Sequence, residues 1–219
     1  MRCHCHDREV IPLFVSKITH GIQGEGPTAG HPCIFLVLGG DKSRNMKIMD
    51  IVKKIKELSK HNCFRIVVTG DEPLEYQQEL IAVLIKKELE GFKTEIETCG
   101  LIMPDIVLRN LVAQWNITIR PGSQWGVNAP DSVMFFSTQS NVNFKLELES
   151  KKDIKKMIEI IETIDIQHDQ IYLMPKANSL TDLILKSKDV ESLCKKHDLI
   201  YGSKHQIILG GCYGKKAKD

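Results

Sequence analysis

The stretch Arg65-Ile66-Val67-Val68-Thr69-Gly70-Asp71-Glu72-Pro73 contains the unit from which the rest of the chain is built. Its run of Ile and Val is typical of a strand buried on both faces of a sheet. A turn follows, and Pro73 suits the first turn of a helix because its missing N–H needs no partner there. Residues 74–90 predict that helix, and Gly91 predicts its end. The stretch therefore predicts one strand–turn–helix unit of a parallel sheet.

The same unit recurs along the chain. The residue pattern predicts further strands at 13–19, 33–38, 93–97, 115–119, 144–148, 170–174 and 205–209, and further helices at 46–60, 104–112, 154–164 and 179–196. Residues 120–141 interrupt the alternation and predict a long irregular loop, a feature that is often functional. Strands alternating with helices indicate an α/β domain, in which ligands bind beyond the carboxyl ends of the strands.

Composition excludes several classes of protein. The 219 residues include 30 basic and 28 acidic ones, so the formal charge of +2 gives no reason to expect a nucleic-acid partner. No apolar run approaches a membrane span, and the first residues lack a signal-peptide core. Seven cysteines without a CxxC pair argue against a secreted disulfide framework. We therefore expect a cytoplasmic protein without a membrane partner.

The chain is predicted to be a single α/β domain at 13–219 preceded by a mobile N-terminal arm at 1–12. Cys3-His4-Cys5-His6 in that arm offers ligands for a soft metal ion. Ligands so close in sequence do not easily surround one ion, so a mobile terminus is the favoured interpretation.

Three short motifs contain polar residues suited to binding, and each also has a plainer interpretation. Gln23-Gly24-Glu25-Gly26-Pro27 suits a heteroaromatic ring with amide and amino edges as well as it suits a turn. Asp71 and Glu72 could receive an ammonium group, although capping of the next helix is favoured. Glu97-Thr98-Cys99-Gly100 ends a strand at the shared ligand edge, or forms an ordinary turn. His205 is interpreted as structural.

Taken together, these motifs resemble those of the 7-carboxy-7-deazaguanine synthases, a family of the radical S-adenosylmethionine superfamily. The motifs that carry the resemblance are Gln23-Gly24-Glu25-Gly26, Gly30-His31-Pro32, Gly70-Asp71-Glu72-Pro73, Glu97-Thr98-Cys99-Gly100, Asn143-Phe144-Lys145-Leu146, Tyr172-Leu173-Met174-Pro175 and His205-Gln206-Ile207-Ile208. They span nearly the whole chain after residue 12. The first is fairly specific for the family, whereas the Gly-Asp-Glu-Pro motif is a superfamily feature.

The resemblance implies a fold, a reaction and a set of cofactors. The fold is a partial, open (β/α) barrel of about six parallel strands, of the radical S-adenosylmethionine type. The reaction converts 6-carboxy-5,6,7,8-tetrahydropterin to 7-carboxy-7-deazaguanine with loss of ammonia, a carbon–nitrogen lyase step toward queuosine, archaeosine and related 7-deazapurines. The implied cofactors are S-adenosylmethionine, a [4Fe–4S] cluster and Mg²⁺. The implied assembly is a homodimer.

The resemblance also implies roles for particular residues. His31 stands where the family commonly has an arginine for the substrate carboxylate. The residues expected to bind the substrate are Gln23, Gly24, Glu25 and His31. The residues expected to bind S-adenosylmethionine are Gly70, Asp71, Glu72, Pro73, Glu97 and Thr98.

The chain departs from the family at the cluster-binding loop. The family places CxxxCxxC after the first barrel strand, whereas this chain runs from Gly39-Gly40 to Asn45 without a cysteine. Cys33, Cys99 and the two cysteines of the arm are too scattered to be favoured as substitutes. Asp71 also replaces the second glycine of the family's Gly-Gly-Glu-Pro motif.

Two hypotheses follow from these departures. The chain is an enzyme of the deazaguanine pathway, either divergent or with its loop lost through a splicing or gene-model error. Alternatively, it is a non-catalytic relative that binds a pterin, a purine or a protein partner. Only the first hypothesis requires iron and sulfide.

Overall fold

Nine strands form one sheet in a computed structural model that describes residues 12–59, 63–120, 125, 129–150 and 152–210. The strands are β1 Leu13–Ile22, β2 Pro32–Leu38, β3 Arg44–Met46, β4 Arg65–Gly70, β5 Lys93–Thr98, β6 Gln114–Ile119, β7 Val142–Leu148, β8 Ile171–Pro175 and β9 Ile200–Tyr201. Their order in the sheet is β3-β1-β2-β4-β5-β6-β7-β8-β9. From β2 to β9 all neighbours are parallel, whereas β1 and β3 add an antiparallel edge.

Helices between the strands cover one face of this sheet. They are α1 Ile48–Leu58, α2 Gln77–Leu84, α3 Ile106–Leu111, α4 Asp131–Ser137, α5 Asp153–Ile164 and α6 Leu180–His197. The short helix α7 His205–Ile208 follows β9 and lies on the opposite side. Buried helix residues such as Ile51 and Phe136 pack in one core with strand residues such as Ile66, Ile96 and Phe144. Removal of these apolar side chains from water is the main stabilising contribution. Within the described residues, no helix is long and apolar enough to span a membrane.

The opposite side of the central strands is polar, because successive side chains of a strand point to opposite faces. Ile96 and Phe144 enter the helical core, whereas their neighbours Glu97 and Lys145 point the other way. We call this side the polar face and define it by Arg65, Thr69, Glu95, Glu97, Asn116, Lys145 and Glu147. It lies against the loop at residues 23–31 and the segment at residues 202–208.

The predicted fold class is confirmed: the domain is α/β with an open, mostly parallel sheet. The parallel run contains seven strands, compared with the prediction of about six, because β9 extends it. The sequence pattern missed β3, which pairs with β1 immediately after the Gly39-Gly40 turn. The division of the chain into an arm and a single domain stays a prediction, and residues 1–11 lie outside the described part.

Three predictions of local structure were wrong. Residues 74–90 are not one helix, since Lys86 is extended and lets Leu89 reach the core in a separate 3₁₀ turn. Residues 120–141 contain a helix, α4, which buries Phe136. Residues 205–209 begin with helix α7 instead of a strand, because Ile200–Tyr201 already pairs with β8.

Substitution of Gly70 tests how closely the carboxyl ends of β2 and β4 must approach each other. Its φ is +134°, and a Cβ there would lie 2.0 Å from the carbonyl oxygen of Leu38. Gly70→Ala is therefore expected to lower the free energy of unfolding by about 2–4 kcal/mol in denaturant titrations.

Gly91→Ala is the matched control for this prediction. Gly91 also has a positive φ, +84°, but a Cβ there would meet no atom within 4 Å. Its expected loss is about 1–2 kcal/mol from backbone strain alone. Equal losses for the two variants would show that the contact with Leu38 imposes no constraint.

Candidate functional site

The loop that joins β1 to β2 folds back on itself and delivers two side chains to the polar face. The Gln23 amide donates to the His31 carbonyl at 2.9 Å, and the Gly30 amide donates to the Gln23 carbonyl at 2.8 Å. The loop needs glycine at residue 30, where φ is +89°. Gln23 is fully buried, and its side-chain oxygen accepts from the Gly24 amide at 2.7 Å. The loop is thereby held with Gln23 and Glu25 against the sheet.

An ion network joins this loop to β5 and β7. The ammonium group of Lys145 lies 3.0 Å from Glu25 Oε2 and 3.5 Å from Glu97 Oε1. Gln23 Nε2 donates to Glu97 Oε1 at 3.3 Å, and Thr69 Oγ1 donates to Glu97 Oε2 at 2.7 Å. Lys145 is only 3% exposed, so its charge depends on these carboxylates.

The pKa values of the network follow from this geometry. Burial by itself would raise the pKa of Glu25, but the charges of Lys145 and Lys204, with hydrogen bonds from Lys145 and Gln206, lower it below its ordinary value. Burial would lower the pKa of Lys145, but Glu25 and Glu97 raise it. Glu25 and Lys145 are therefore both charged at neutral pH.

A second buried lysine extends the network toward the end of the chain. Lys204 Nζ donates to Glu147 Oε1 at 2.6 Å and lies 3.9 Å from Glu25 Oε1. Arg120 reaches Glu147 at 3.2 Å from a largely exposed position. The network thus combines three carboxylates with three cationic groups, which are Glu25, Glu97 and Glu147 with Lys145, Lys204 and Arg120.

Glu95 forms a separate cluster on the polar face. It is fully buried and accepts from Arg65, from Thr28 Oγ1 at 2.9 Å and from Asn116 Nδ2 at 3.3 Å. Thr28 belongs to the loop, so this cluster fastens the far side of the loop to β4, β5 and β6.

The Glu72 carboxylate accepts hydrogen bonds from the 3₁₀ turn that begins at Pro73 and from the turn after β5. Its Oε1 accepts from the Leu74 amide at 3.0 Å and from Thr98 Oγ1 at 2.6 Å, and its Oε2 accepts from the Cys99 amide at 2.9 Å. Glu72 and Thr98 thus join the turns after β4 and β5. The geometry matches the capping interpretation of Glu72.

A cavity of about 610 Å³ opens beyond the carboxyl ends of β2 and β4. Gly39, Gly40, Thr69, Gly70 and Asp71 are among the residues that line it. Asp71 Oδ2 accepts from the Gly40 amide at 2.8 Å, so its carboxylate joins the two turns. Thr69 connects this cavity with the network through its bond to Glu97.

The cysteines of the described residues do not fit an iron–sulfur cluster. Cys33, Cys63, Cys99 and Cys194 are free thiols, and the described residues contain no group of three or more His, Cys, Asp or Glu side chains arranged to hold a metal ion. Burial raises the pKa of Cys33 and raises that of Cys99 to about 11, which disfavours the thiolate that a cluster needs. Cys3, Cys5, Cys212 and the Cys3-His4-Cys5-His6 motif lie outside the described residues.

The structure brings together part of the predicted site. Gln23, expected at the substrate, donates to Glu97, expected at the cofactor, and Glu25 is connected to Glu97 through Lys145. The His31 side chain is exposed at the start of β2, so its role stays a prediction. Gly70 and Asp71 line the cavity, while Pro73 is buried beside it.

Sequence reasoning assigned no role to Lys145, Lys204 or Gln206, which complete the network. The alternation Asn143-Phe144-Lys145-Leu146-Glu147 in a predicted strand was the available signal, because it places charged side chains on one face. The backbone amide of His205 donates to the Gly24 carbonyl at 2.9 Å, while the structural interpretation of its side chain stays a prediction.

Comparisons with known proteins agree with this architecture. The chain is 28% identical over 181 residues to the 7-carboxy-7-deazaguanine synthase of Pyrobaculum aerophilum, covering 75% of this chain and 80% of that protein. It is 22% identical over 220 residues to the enzyme of the same name from Hyperthermus butylicus, covering 90% and 92%. The crystal structure of QueE from Escherichia coli superposes with a TM-score of 0.64 at 18% identity, covering 87% and 93%. No protein-family model matches the chain.

The open, mostly parallel sheet with helices on one face is an α/β fold that this chain shares with the QueE structure. In sequence the chain is similar to the 7-carboxy-7-deazaguanine synthases over most of its length.

Lys145→Met tests whether the network stabilises the fold. The change leaves Glu25 and Glu97 buried without their main counter-charge, so the free energy of unfolding at pH 7 should fall by about 3–5 kcal/mol. Burial would then raise the pKa of Glu25, so the variant should gain stability as the pH falls from 7 toward 5. The wild type should not, because a lowered carboxyl pKa contributes stability that is lost as pH falls.

Lys195→Met is the control, since the Lys195–Glu191 pair is fully exposed on α6. It should leave the unfolding transition nearly unchanged at both pH values. If Lys145→Met behaved like this control, the buried network would not be a source of stability.

Proposed function

We propose that this protein acts as a 7-carboxy-7-deazaguanine synthase. It binds 6-carboxy-5,6,7,8-tetrahydropterin at the polar face and converts it to 7-carboxy-7-deazaguanine. The observation that carries the proposal is the junction of Gln23, Glu25, Glu97 and Lys145, since residues from three of the resembling motifs meet in one hydrogen-bonded network. The curated relatives with this enzyme name support the same reaction.

The carboxylates of the network favour a ligand that presents hydrogen-bond donors. When ionised, Glu25 and Glu97 accept hydrogen bonds and donate none. The pyrimidine edge of a pterin carries adjacent N–H and amino donors, which suit a carboxylate. Gln23 both donates and accepts, so it can complement a mixed ring edge.

S-adenosylmethionine would be held beyond β2 and β4. Gly40, where a Cβ would meet no atom within 4 Å, lets the backbone approach a ligand there, and Asp71 adds a negative charge beside the carboxylate of its methionine part. When bound next to a reduced cluster, this cofactor supplies a radical. The described residues do not fit the [4Fe–4S] cluster or Mg²⁺, so the electron source for that chemistry is not assigned to them. Assembly as a homodimer also stays a prediction.

A second candidate function is binding of the pterin without its conversion. The specific observation in its favour is the turn after β2, which runs from Gly39 to β3 without a cysteine and is closed by the bond from the Gly40 amide to Asp71. The two candidates share a ligand and differ in redox chemistry.

Binding is tested by anaerobic calorimetry with 6-carboxy-5,6,7,8-tetrahydropterin. Glu25→Gln and Glu97→Gln should each weaken binding by roughly tenfold or more, because a charge-assisted hydrogen bond to a ring donor is lost. Glu191→Gln, on the exposed face of α6, should bind like the wild type. A wild type that does not bind the pterin would overturn both candidate functions.

Iron and sulfide content per chain after anaerobic reconstitution decides between the two candidates. About four irons with a spectrum that dithionite bleaches would support the synthase and would require cysteines outside the described residues. Pterin binding without iron would support the non-converting protein. Product formation should follow the iron content of the preparation.

Asp71→Gly tests the proposed cofactor cavity. The change removes a negative charge beside the site for the carboxylate of S-adenosylmethionine, so calorimetry should show tighter binding by roughly three- to tenfold. The same change removes the bond to Gly40 and should lower the melting temperature by a few degrees. Asp41→Gly, in the same cavity lining but without this hydrogen bond, controls for charge alone. Unchanged affinity in Asp71→Gly would contradict a cofactor site at this cavity.

A further inference from the structure

The last described segment of the chain is attached to the loop that carries Glu25. The His205 amide donates to the Gly24 carbonyl at 2.9 Å, and Gln206 Nε2 donates to Glu25 Oε1. Gln206 follows Glu25 by 181 positions in the sequence, which is nearly the whole length of the domain. Segment 204–206 therefore forms one wall of the network.

Gly24 and Gln206 fit each other closely. A Cβ on Gly24 would lie 2.1 Å from Gln206 Oε1 and 2.9 Å from Gln206 Cδ. The carboxamide of Gln206 thus occupies the space that a side chain at residue 24 would need. This contact leaves Gln206 Nε2 directed at Glu25, while its Oε1 is buried without a hydrogen-bond partner among the described residues.

Each oxygen of Glu25 is consequently oriented by a different neighbour. Lys145 lies 3.0 Å from Oε2, whereas Gln206 donates to Oε1. Lys204 is 3.9 Å from Oε1 but is engaged with Glu147 at 2.6 Å. Without Gln206, Oε1 would have Lys204 as its nearest remaining donor, and the carboxylate would be free to turn toward it.

We propose that Gln206 is a positioning residue that orients the Glu25 carboxylate for the donor edge of the ligand and keeps it from closing on Lys204. The choice of a pterin as ligand rests on the proposed function, whereas the orientation of Glu25 does not. A neutral amide suits this role because it donates a hydrogen bond without adding another charge to a network that already contains two ammonium groups.

The pH dependence of a Gln206→Glu variant distinguishes positioning from a merely structural role. A protonated glutamic acid can donate to Glu25 as the amide does, whereas an ionised one repels it. The titratable groups around Glu25 are Lys145 and Glu147 on β7, Glu97 on β5, and Lys204 with His205 in the last segment. All of these groups are also present in the wild type. The ratio of the wild-type affinity to the Gln206→Glu affinity therefore reports only the ionisation of the substituted side chain.

Affinity for 6-carboxy-5,6,7,8-tetrahydropterin is measured between pH 5 and 8 for the wild type, Gln206→Glu and Gln206→Ala. Gln206→Glu should bind close to the wild type at the acidic end and at least roughly tenfold more weakly at pH 8. Gln206→Ala should bind the pterin more weakly than the wild type, by a factor that changes little with pH. Gln78→Ala, which removes a glutamine–carboxylate bond to Asp105 elsewhere, should match the wild type. A ratio for Gln206→Glu that is independent of pH would overturn the proposal.

A measurement without ligand keeps the proposal separate from the proposed function. The carboxyl carbon of Glu25, followed by NMR, should titrate at higher pH in Gln206→Ala than in the wild type, because a hydrogen bond to the ionised form is lost. An unchanged titration would overturn the positioning role even if the pterin binds. A shifted titration in a protein that does not bind the pterin would overturn the proposed function alone.

The fit of Gly24 against Gln206 gives a third, purely structural check. Gly24→Ala should lower the melting temperature of the wild type more than that of Gln206→Ala, because the clashing carboxamide is then absent. Equal shifts in both backgrounds would show that the two residues do not constrain each other.

Discussion

The buried ammonium group of Lys145 is the constraint on which the arrangement of the polar face depends. A charge that is nearly inaccessible to water must be paired, and its partners Glu25 and Glu97 come from the loop after β1 and from β5. The loop must therefore lie across the sheet, which in turn places Gln23 beside Glu97 and Gly24 beside Gln206. One desolvated charge thus determines the position of the segment that carries the most specific sequence motif.

The two faces of the sheet differ in the interactions that stabilise them. Apolar side chains from alternate strand positions, such as Ile96 and Phe144, pack with the helices, while their neighbours form the polar face. A polar face of this kind adds little hydrophobic stabilisation, and its buried charges are favourable only as a connected network. Such a network fixes side-chain orientations closely, which suits recognition of a flat polar ring.

The resemblance to the 7-carboxy-7-deazaguanine synthases extends to the polar face but not to the cysteine loop. The polar face combines residues of several resembling motifs, while the turn after β2 is short and tied to Asp71. The Gly40 amide donates a hydrogen bond to the Asp71 carboxylate at the place where the family has its cysteine loop. In the proposed function, recognition of the pterin and supply of an electron would therefore depend on different residues.

Most of the strands and helices could be predicted from the sequence alone, because runs such as Ile66-Val67-Val68 and periodic helices such as α1 reflect local burial. Local patterns also indicated Gln23, Glu25 and Glu97 as polar residues at loop and strand ends. They did not indicate that Ile207 and its neighbours would form a helix, since the strand position beside β8 is taken by β9. Only the tertiary structure decided that Lys145 and Gln206 meet Glu25, because contacts between residues so distant in sequence depend on how the whole sheet is assembled.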